Sequence, residues 1–137
     1  MSLSNTYENV VMDHLFKKDT ALTPMSPISV GLLTADPGDS GTSSNCNEVP
    51  ETNNYSRIVT IADNWNVSAG GIITNTDDLA FPGSTGSWGT VTHFALFTSQ
   101  VYGLGELIIH GVLDVSKPVP SGYQVRFNSG QLTIALD

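Results

Sequence analysis

Residues 88–97 read WGTVTHFALF, a run in which small or polar residues alternate with bulky apolar ones. This period of two is typical of a β-strand, because successive side chains of a strand point to opposite faces of a sheet. From Thr90 onward the alternation defines two faces, with Val91, His93, Ala95 and Phe97 on one and Thr92, Phe94, Leu96 and Thr98 on the other. Both faces carry bulky apolar groups, so we predict a central strand that is covered on both sides.

Similar runs recur on both sides of this strand and predict roughly eight short strands in all. They occupy residues 28–32, 56–61, 72–75, 78–81, 90–98, 106–115, 123–127 and 131–136. Turn signals separate them, among them residues 69–71, 82–83, 118–122 and 128–130. Short strands at this spacing are typical of all-β folds. The predicted fold class is therefore mainly β, an antiparallel β-sandwich or jelly-roll-like domain.

The N-terminal segment has a helical period instead, because its candidate core residues recur every three to four positions. These residues are Tyr7, Val10, Val11, His14 and Leu15. Asn5 is expected to cap this single N-terminal α-helix, and Glu8 to complete a capping box. The helix is expected to end near Lys18, because Lys17 and Lys18 suit the negative end of a helix dipole.

The length of 137 residues predicts one domain with one core. We expect the helix within residues 1–19, the β-sandwich at residues 28–137 and a long polar loop at residues 36–55. The first residues lack a basic start followed by an apolar block, so no secretory signal is expected. No apolar stretch approaches the roughly 18 residues of a membrane-spanning helix.

The charge balance argues against two classes of partner. The formal net charge is −8, and the five Lys and Arg residues are scattered along the chain. Nucleic acids and anionic membranes attract proteins through clustered cations, so neither is an expected partner. Cys46 is the single cysteine, which excludes an intramolecular disulfide.

The histidines give no sign of a metal centre. A zinc site usually includes a closely spaced pair of ligands, whereas these residues lie at positions 14, 93 and 110. His93 and His110 fall within predicted strands, so we expect each ring to pack in the sheet with a hydrogen bond. His14, on the helix, either packs against a strand or faces solvent.

The carboxylates form two pairs that turns explain. Asp77 and Asp78 are adjacent, which points them to opposite faces unless they lie in a turn. Asp36 and Asp39 enclose Pro-Gly, a sequence that favours a tight reversal. The alternative for the second pair is a calcium site, which would need further oxygen ligands.

No catalytic pattern is recognisable. No serine lies in a Gly-x-Ser-x-Gly elbow, Cys46 lacks the context of a thiol enzyme, and the glycine-rich segments lack a phosphate-loop lysine. We therefore predict that the protein is not an enzyme, with no catalytic residue, no metal and no cofactor. The alternative is a hydrolase that depends on His93.

Three residues are candidate contacts with a ligand or partner. Trp65 has polar neighbours, which suggest an exposed ring that could stack on a sugar. Trp88 is expected to cap the core at the start of its strand instead. Tyr7 and Val11 lie on the apolar stripe of the helix, which can meet a neighbouring subunit.

The C-terminal run at residues 131–136 contains no charge and would make a poor exposed sheet edge. It therefore lies inside a sheet or joins another subunit. We expect a homo-oligomer, and the alternative is a monomer whose last strand lies in the middle of a sheet.

Several segments together resemble a family of small tailed-bacteriophage structural proteins, often labelled tail-fibre proteins. The resemblance rests mainly on TADPGD at residues 34–39 and on WGTVTHFALF. It extends over the helix at residues 7–16 and over residues 29–33, 55–57, 80–82, 111–113, 117–119, 121–122 and 131–137. The match thus runs in order along nearly the whole chain.

This resemblance implies a virion structural protein without catalysis, assembled in the host cytoplasm from contacts with other virion proteins of the tail or capsid. We expect a tail-associated or fibre-like accessory subunit. One alternative is a capsid decoration (cement) protein. An alternative of another class is a carbohydrate-binding module that recognises a host-surface glycan through Trp65.

Overall fold

The computed structural model of the protein describes residues 1–16, 18 and 23–136. Its elements in chain order are β1 (Ser2–Leu3), α1 (Asn5–Leu15), β2 (Ile28–Leu33), β3 (Ile58–Thr60), a 3-10 helix (Ala62–Asn64), β4 (Ile72–Thr74), β5 (Leu79–Ala80), β6 (Gly89–Phe97), β7 (Leu107–Val119), β8 (Arg126–Phe127) and β9 (Thr133–Ala135). An observed strand lies within each predicted strand segment or overlaps it. The two-residue β1 has no counterpart among the predicted strands, because so short a strand shows no periodicity.

Within the described residues, five strands form one antiparallel sheet in the order β1-β7-β6-β2-β3. Two further antiparallel pairs are β4 with β9 and β5 with β8. Leu79 and Ile134 of these pairs share one core with Val30 and Leu32 of the large sheet. The fold is thus mainly β with an N-terminal helix and is consistent with a β-sandwich, which confirms the predicted fold class.

The central strand β6 lies between β2 and β7 and contributes to two cores. Phe94 and Leu96 belong to the main core, whereas Ala95 and Phe97 belong to a smaller core on the opposite face. The predicted face of Val91 is wrong, because this residue packs in the main core with Phe94. The pairing with β7 is irregular just after Val91, and such a bulge changes the face that the following side chains meet.

The strand β7 continues through Pro118, where the sequence predicted a turn. Pro118 pairs with Thr90 of β6, whereas β1 pairs with β7 at Ile109 and His110. The C-terminal part of β7, which contains Pro118, is therefore an edge of the sheet among the described residues. Proline is tolerated at an edge because its missing N–H removes no ladder hydrogen bond there.

The helix begins one residue earlier and ends earlier than the sequence predicted. Ser4, not Asn5, is the N-cap, and its Oγ accepts a hydrogen bond from the Tyr7 N–H. This cap places Tyr7 rather than Glu8 at the third helical position, so the predicted capping box does not form. The helix ends at Leu15, with Phe16 as C-cap, and Lys17 lies outside the described residues.

The chain between β2 and β3 is anchored to β2 by backbone pairing, and it contributes side chains to both cores. Glu48 forms a bridge with Leu33, and the Val49 N–H donates to the Leu32 carbonyl at 3.0 Å. Cys46 packs in the smaller core with Phe97. The polar segment at residues 36–55 is thus partly interior.

A buried arginine ties this segment to the sheet. The Arg57 guanidinium donates to both carboxylate oxygens of Glu48, at 2.8 and 2.7 Å, and lies 3.6 Å from the centroid of the Phe97 ring. It also donates to the carbonyls of Ser99, Val101 and Leu104. Arg57 therefore links three separate segments of the chain.

The last strand β9 pairs with β4 and with no other strand of the described residues. The alternative in which the uncharged C-terminal run lies in the middle of a sheet is therefore wrong.

Candidate interaction surface

An apolar groove opens between the large sheet and the β4–β9 pair, with a volume of about 480 Å³. Its floor includes Leu96, Ile108 and Ile109 of the large sheet. Its opposite wall includes Trp65, Val67, Ile73, Ile134 and Leu136. Val67 is 94% exposed and Leu136 is 59% exposed, so both lie at the mouth. None of the described residues that line the groove is charged.

Hydrogen bonds between the segments that form the wall of the groove hold this wall in place. The Asn66 N–H donates to the Thr74 carbonyl, and the Asn66 amide donates to Thr74 Oγ1, both at 2.8 Å. The Leu136 N–H donates to the Gly71 carbonyl at 2.9 Å. The wall is thus fixed by backbone pairing while its apolar side remains open.

The side chain of Asn75 joins β4 to the chain that leads into β9. Its Nδ2 donates to the carbonyls of Asp77 and Asn128, at 2.7 and 3.0 Å, and its Oδ1 accepts from the Leu132 N–H at 2.9 Å. Its own carbonyl accepts from the Gly130 N–H at 2.8 Å. Asn75 is fully buried, so this amide fixes the position of the groove wall.

Trp65, the residue predicted to be an exposed stacking platform, is half-buried and lines the groove. It follows the 3-10 helix, and its Nε1–H donates to Thr60 Oγ1 at 3.0 Å. The polar neighbours Asp63 and Asn64 belong to this helical turn, which explains why they do not imply a free ring. Trp88 is buried, and its indole N–H donates to the Asn53 carbonyl at 2.9 Å.

Of the two helix residues predicted as contacts, Tyr7 is turned into the protein and Val11 is only partly covered. Tyr7 is 8% exposed and donates its hydroxyl to Met25 Sδ at 3.3 Å. Burial, and then the nearby Glu106 carboxylate, raises the pKa of the Tyr7 phenol. Val11 is half-buried. The exposed apolar side chains lie further along, at Leu15 and Phe16, and the sequence pattern offered no sign that the stripe divides in this way.

The two strand histidines differ in their hydrogen bonding. His93 is half-buried, and its Nδ1 lies 2.8 Å from Thr92 Oγ1, as expected for a hydrogen-bonded ring. His110 is buried, and its Nε2 makes no hydrogen bond among the described residues. The expectation of a hydrogen-bonded ring is therefore not met at this nitrogen.

The Asp36–Asp39 turn lies beside His110. The nearest oxygens of Asp36 and Asp39 are 3.7 and 3.6 Å from the two ring nitrogens of His110. Asp36 also accepts a hydrogen bond from the Gly38 N–H, which is the main reason that the pKa of Asp36 lies below its ordinary value. Asp39 accepts from Ser2 Oγ at 2.6 Å, so the turn also holds the N-terminus.

The acidic residues of the described chain form no metal site. The described residues contain no group of three or more His, Cys, Asp or Glu side chains that could hold a metal ion. Asp78 lies 3.5 Å from Arg126 and accepts from the Ser129 N–H, while Asp77 accepts from Thr76 Oγ1. Both carboxylates thus serve local turn structure.

Cys46 is buried, and burial is the main reason that the pKa of its thiol rises to about 11. We expect iodoacetamide at pH 8 to alkylate Cys46 about 100-fold more slowly in the native than in the unfolded protein, because the thiolate is the reactive form. Mass spectrometry of timed samples, with and without denaturant, measures both rates. Equal rates would show that the thiol is accessible in the native fold.

A family model matches nearly the whole chain. Residues 2–135 match the family model described as Podophage GP4 fiber I protein gp80. The chain belongs to this family, which confirms its resemblance to phage tail-fibre proteins. The family is one of phage fibre structural proteins, whose role involves association with other virion proteins in the virion.

No curated protein matches the chain. In the described part of the chain, no helix has the length and apolar character that a membrane crossing requires.

Proposed function

We propose that the protein is a non-catalytic, tail-associated or fibre-like accessory subunit of a podophage particle. Family membership over residues 2–135 carries this proposal. The uncharged groove adds a physical reason, because exposed apolar surface of this kind is typical of assembly contacts. The subunit assembles in the host cytoplasm and contacts other tail proteins, with neither nucleic acid nor membrane as a partner.

Immunogold labelling of intact virions tests this placement. We expect gold particles on the tails, and a virion preparation lacking the protein controls for antibody specificity. Gold particles on the heads would contradict the proposal and favour the capsid decoration role instead.

A homo-oligomer is part of the same proposal. The strand β9 has β4 as its partner among the described residues, and residues 131–136 carry no charge that would protect the other edge. The exposed Leu136 and Ile72 extend the apolar character of this pair. Contact with a further copy would cover this surface.

The groove is poorly suited to the alternative role in glycan binding. Sugar hydroxyls need hydrogen-bonding partners, and Asn66 is the one residue with a polar side-chain amide among those described in the lining. The indole N–H of Trp65 already donates to Thr60. Geometry therefore favours an apolar protein partner over a carbohydrate.

The proposed lack of catalysis has its own test. We expect purified protein to leave peptidoglycan and envelope polysaccharide uncleaved, because Cys46 is buried and His93 is engaged with Thr92. Product release measured by chromatography checks this, with a phage lysozyme as positive control. Cleavage that His93→Ala abolished without changing the melting temperature would contradict it.

A further inference from the structure

The buried imidazole of His110 lies between two carboxylates. Its side chain is 7% exposed, with Nδ1 3.7 Å from Asp36 Oδ1 and Nε2 3.6 Å from Asp39 Oδ1. Nε2 makes no hydrogen bond among the described residues. A neutral imidazole has a single N–H, so it can donate to only one of the two carboxylates, and its other nitrogen turns a lone pair towards the second. The neutral ring therefore leaves one of these contacts unsatisfied, whichever nitrogen carries the proton.

Protonation of the ring removes this mismatch. The His110 imidazolium has two N–H donors, one for each carboxylate. Hydrogen bonds between charged nitrogen and oxygen are about 2.7–2.9 Å long, so each carboxylate has to approach the ring by about 1 Å. The side chains of Asp36 and Asp39 are 66% and 55% exposed and lie in a turn at the surface. Their two attractions act on the same imidazolium and oppose the cost of burying its charge.

The Asp36–Asp39 turn also holds the start of the chain. Asp39 Oδ1 accepts a hydrogen bond from Ser2 Oγ at 2.6 Å, and the Asp39 carbonyl accepts from the Asn5 N–H at 2.8 Å. Ser2 in turn lies opposite His110 in the pairing of β1 with β7. The buried ring, the turn, β1 and the first residue of α1 are thus connected to one another.

We propose that the His110 ring is a pH-dependent clamp for the N-terminal segment, residues 2–5. In its protonated form the ring binds both Asp36 and Asp39, and it thereby holds the turn, β1 and the start of α1 against β7. In its neutral form the ring keeps at most one of these bonds. The clamp therefore stabilises the docked segment while the ring is protonated, and this stabilisation is lost as the pH rises through the titration of the ring.

The carboxylates set the acidic limit of the clamp, because each has to keep its negative charge. The pKa of Asp36 lies below its ordinary value, first because the Gly38 N–H donates to its carboxylate and then because of the charge on nearby His110. Two further cations act on Asp36, the His93 ring of β6 and the amino group of Met1. Any test has to separate His110 from these two groups.

Amide hydrogen exchange measured by NMR reports on the docked segment. The Ser4 N–H donates to the Ile108 carbonyl of β7 at 3.0 Å, and the Asn5 N–H donates to the Asp39 carbonyl of the turn at 2.8 Å. We compare about pH 5 with about pH 8, the range in which histidine changes its charge. Protection of these two amides, relative to amides of β6 in the same sample, is expected to be about 10-fold greater at the lower pH, because hydrogen bonds between charged groups are the stronger ones.

Two variants remove the clamp from opposite sides. His110→Gln replaces the titrating ring by a neutral amide. The double variant Asp36→Asn with Asp39→Asn removes both charges but keeps oxygens that can accept from Gly38 and Ser2, and its substitutions lie at exposed side chains, so folding is expected to be retained. In both variants the relative protection of Ser4 and Asn5 is expected to be equal at the two pH values.

His93→Gln is the matched control. It removes the other strand histidine, whose ring is bonded to Thr92, and it is expected to keep the pH response of the wild type. The NMR signals of the His110 ring, followed through the same pH range, are expected to change together with the protection of Ser4 and Asn5.

Three results would overturn the clamp. The first is a wild type in which the relative protection of Ser4 and Asn5 is the same at both pH values. The second is a pH response that survives in His110→Gln or in the double aspartate variant, which would assign it to the Met1 amino group or to His93. The third is a pH response that His93→Gln abolishes.

Discussion

Replacing Arg57 by alanine is expected to lower the free energy of unfolding by about 3–5 kcal/mol. The side chains of Arg57 and Glu48 are 0% and 3% exposed, so the substitution leaves a buried carboxylate without its cation. The carbonyls of Ser99, Val101 and Leu104 lose their shared donor as well. Urea denaturation followed by tryptophan fluorescence measures the change.

Two control variants show whether the loss of stability is specific to the buried Arg57–Glu48 pair. Arg126→Ala removes an arginine whose partner Asp78 lies 3.5 Å away, with both side chains about half exposed, and is expected to cost at most about 1 kcal/mol. Replacing Arg57 by Met and Glu48 by Leu together is expected to restore part of the lost stability, because no unpaired charge remains buried. An Arg57→Ala protein as stable as Arg126→Ala would refute the proposed role of this ion pair.

The second large effect is expected at Asn75, where Asn75→Leu should lower the free energy of unfolding by about 2–4 kcal/mol. Leucine has a similar size but no polar atom, so the Leu132 N–H loses a buried hydrogen bond and the carbonyls of Asp77 and Asn128 lose partly buried ones. Each buried polar group left unpaired costs about 1–3 kcal/mol, and local relaxation recovers part of the sum. Thermal and urea unfolding measure the loss.

An asparagine in the same part of the fold is the control. Asn66 is exposed and its amide donates to Thr74 Oγ1, so Asn66→Leu is expected to cost about 1 kcal/mol or less. Hydrogen exchange should also be faster in β4 and β9 of Asn75→Leu than in Asn66→Leu. Equal stability of the two variants would show that Asn75 does not fix the groove wall.

The sequence could predict the fold class because it depends on local patterns. Residues 88–97 show the alternation of a strand with two covered faces, and β6 is indeed the centre of the large sheet. Local patterns could not place Val91, because its face depends on an irregular pairing with β7, a partner far along the chain. Local patterns also could not show that the strand β7 continues through Pro118. A proline is tolerated there because this part of β7 is an edge of the sheet, and the edge is known only from the strand pairing.

The candidate interaction surface could be predicted from local sequence patterns only in part. The polar neighbours of Trp65 in the sequence suggest a free ring, whereas its environment depends on the β4–β9 pair folding beside it. The helical stripe points to Tyr7 and Val11, yet a stripe does not show which of its residues the rest of the fold covers. The groove itself combines side chains from seven elements and intervening segments, and no single stretch of sequence carries its pattern.

The pairing of β1 with β7 has a consequence for folding during synthesis. Ser2 lies opposite His110, and Ser4 Oγ donates to the Leu107 carbonyl across 103 positions of the chain. Contacts between such distant residues form late, because a long loop must close first. On the ribosome, the first strand and the cap of α1 must therefore wait for the synthesis of β7. A chain that stops before residue 107 lacks the strand on which its own N-terminus docks, and it should be recognised by proteases as incomplete.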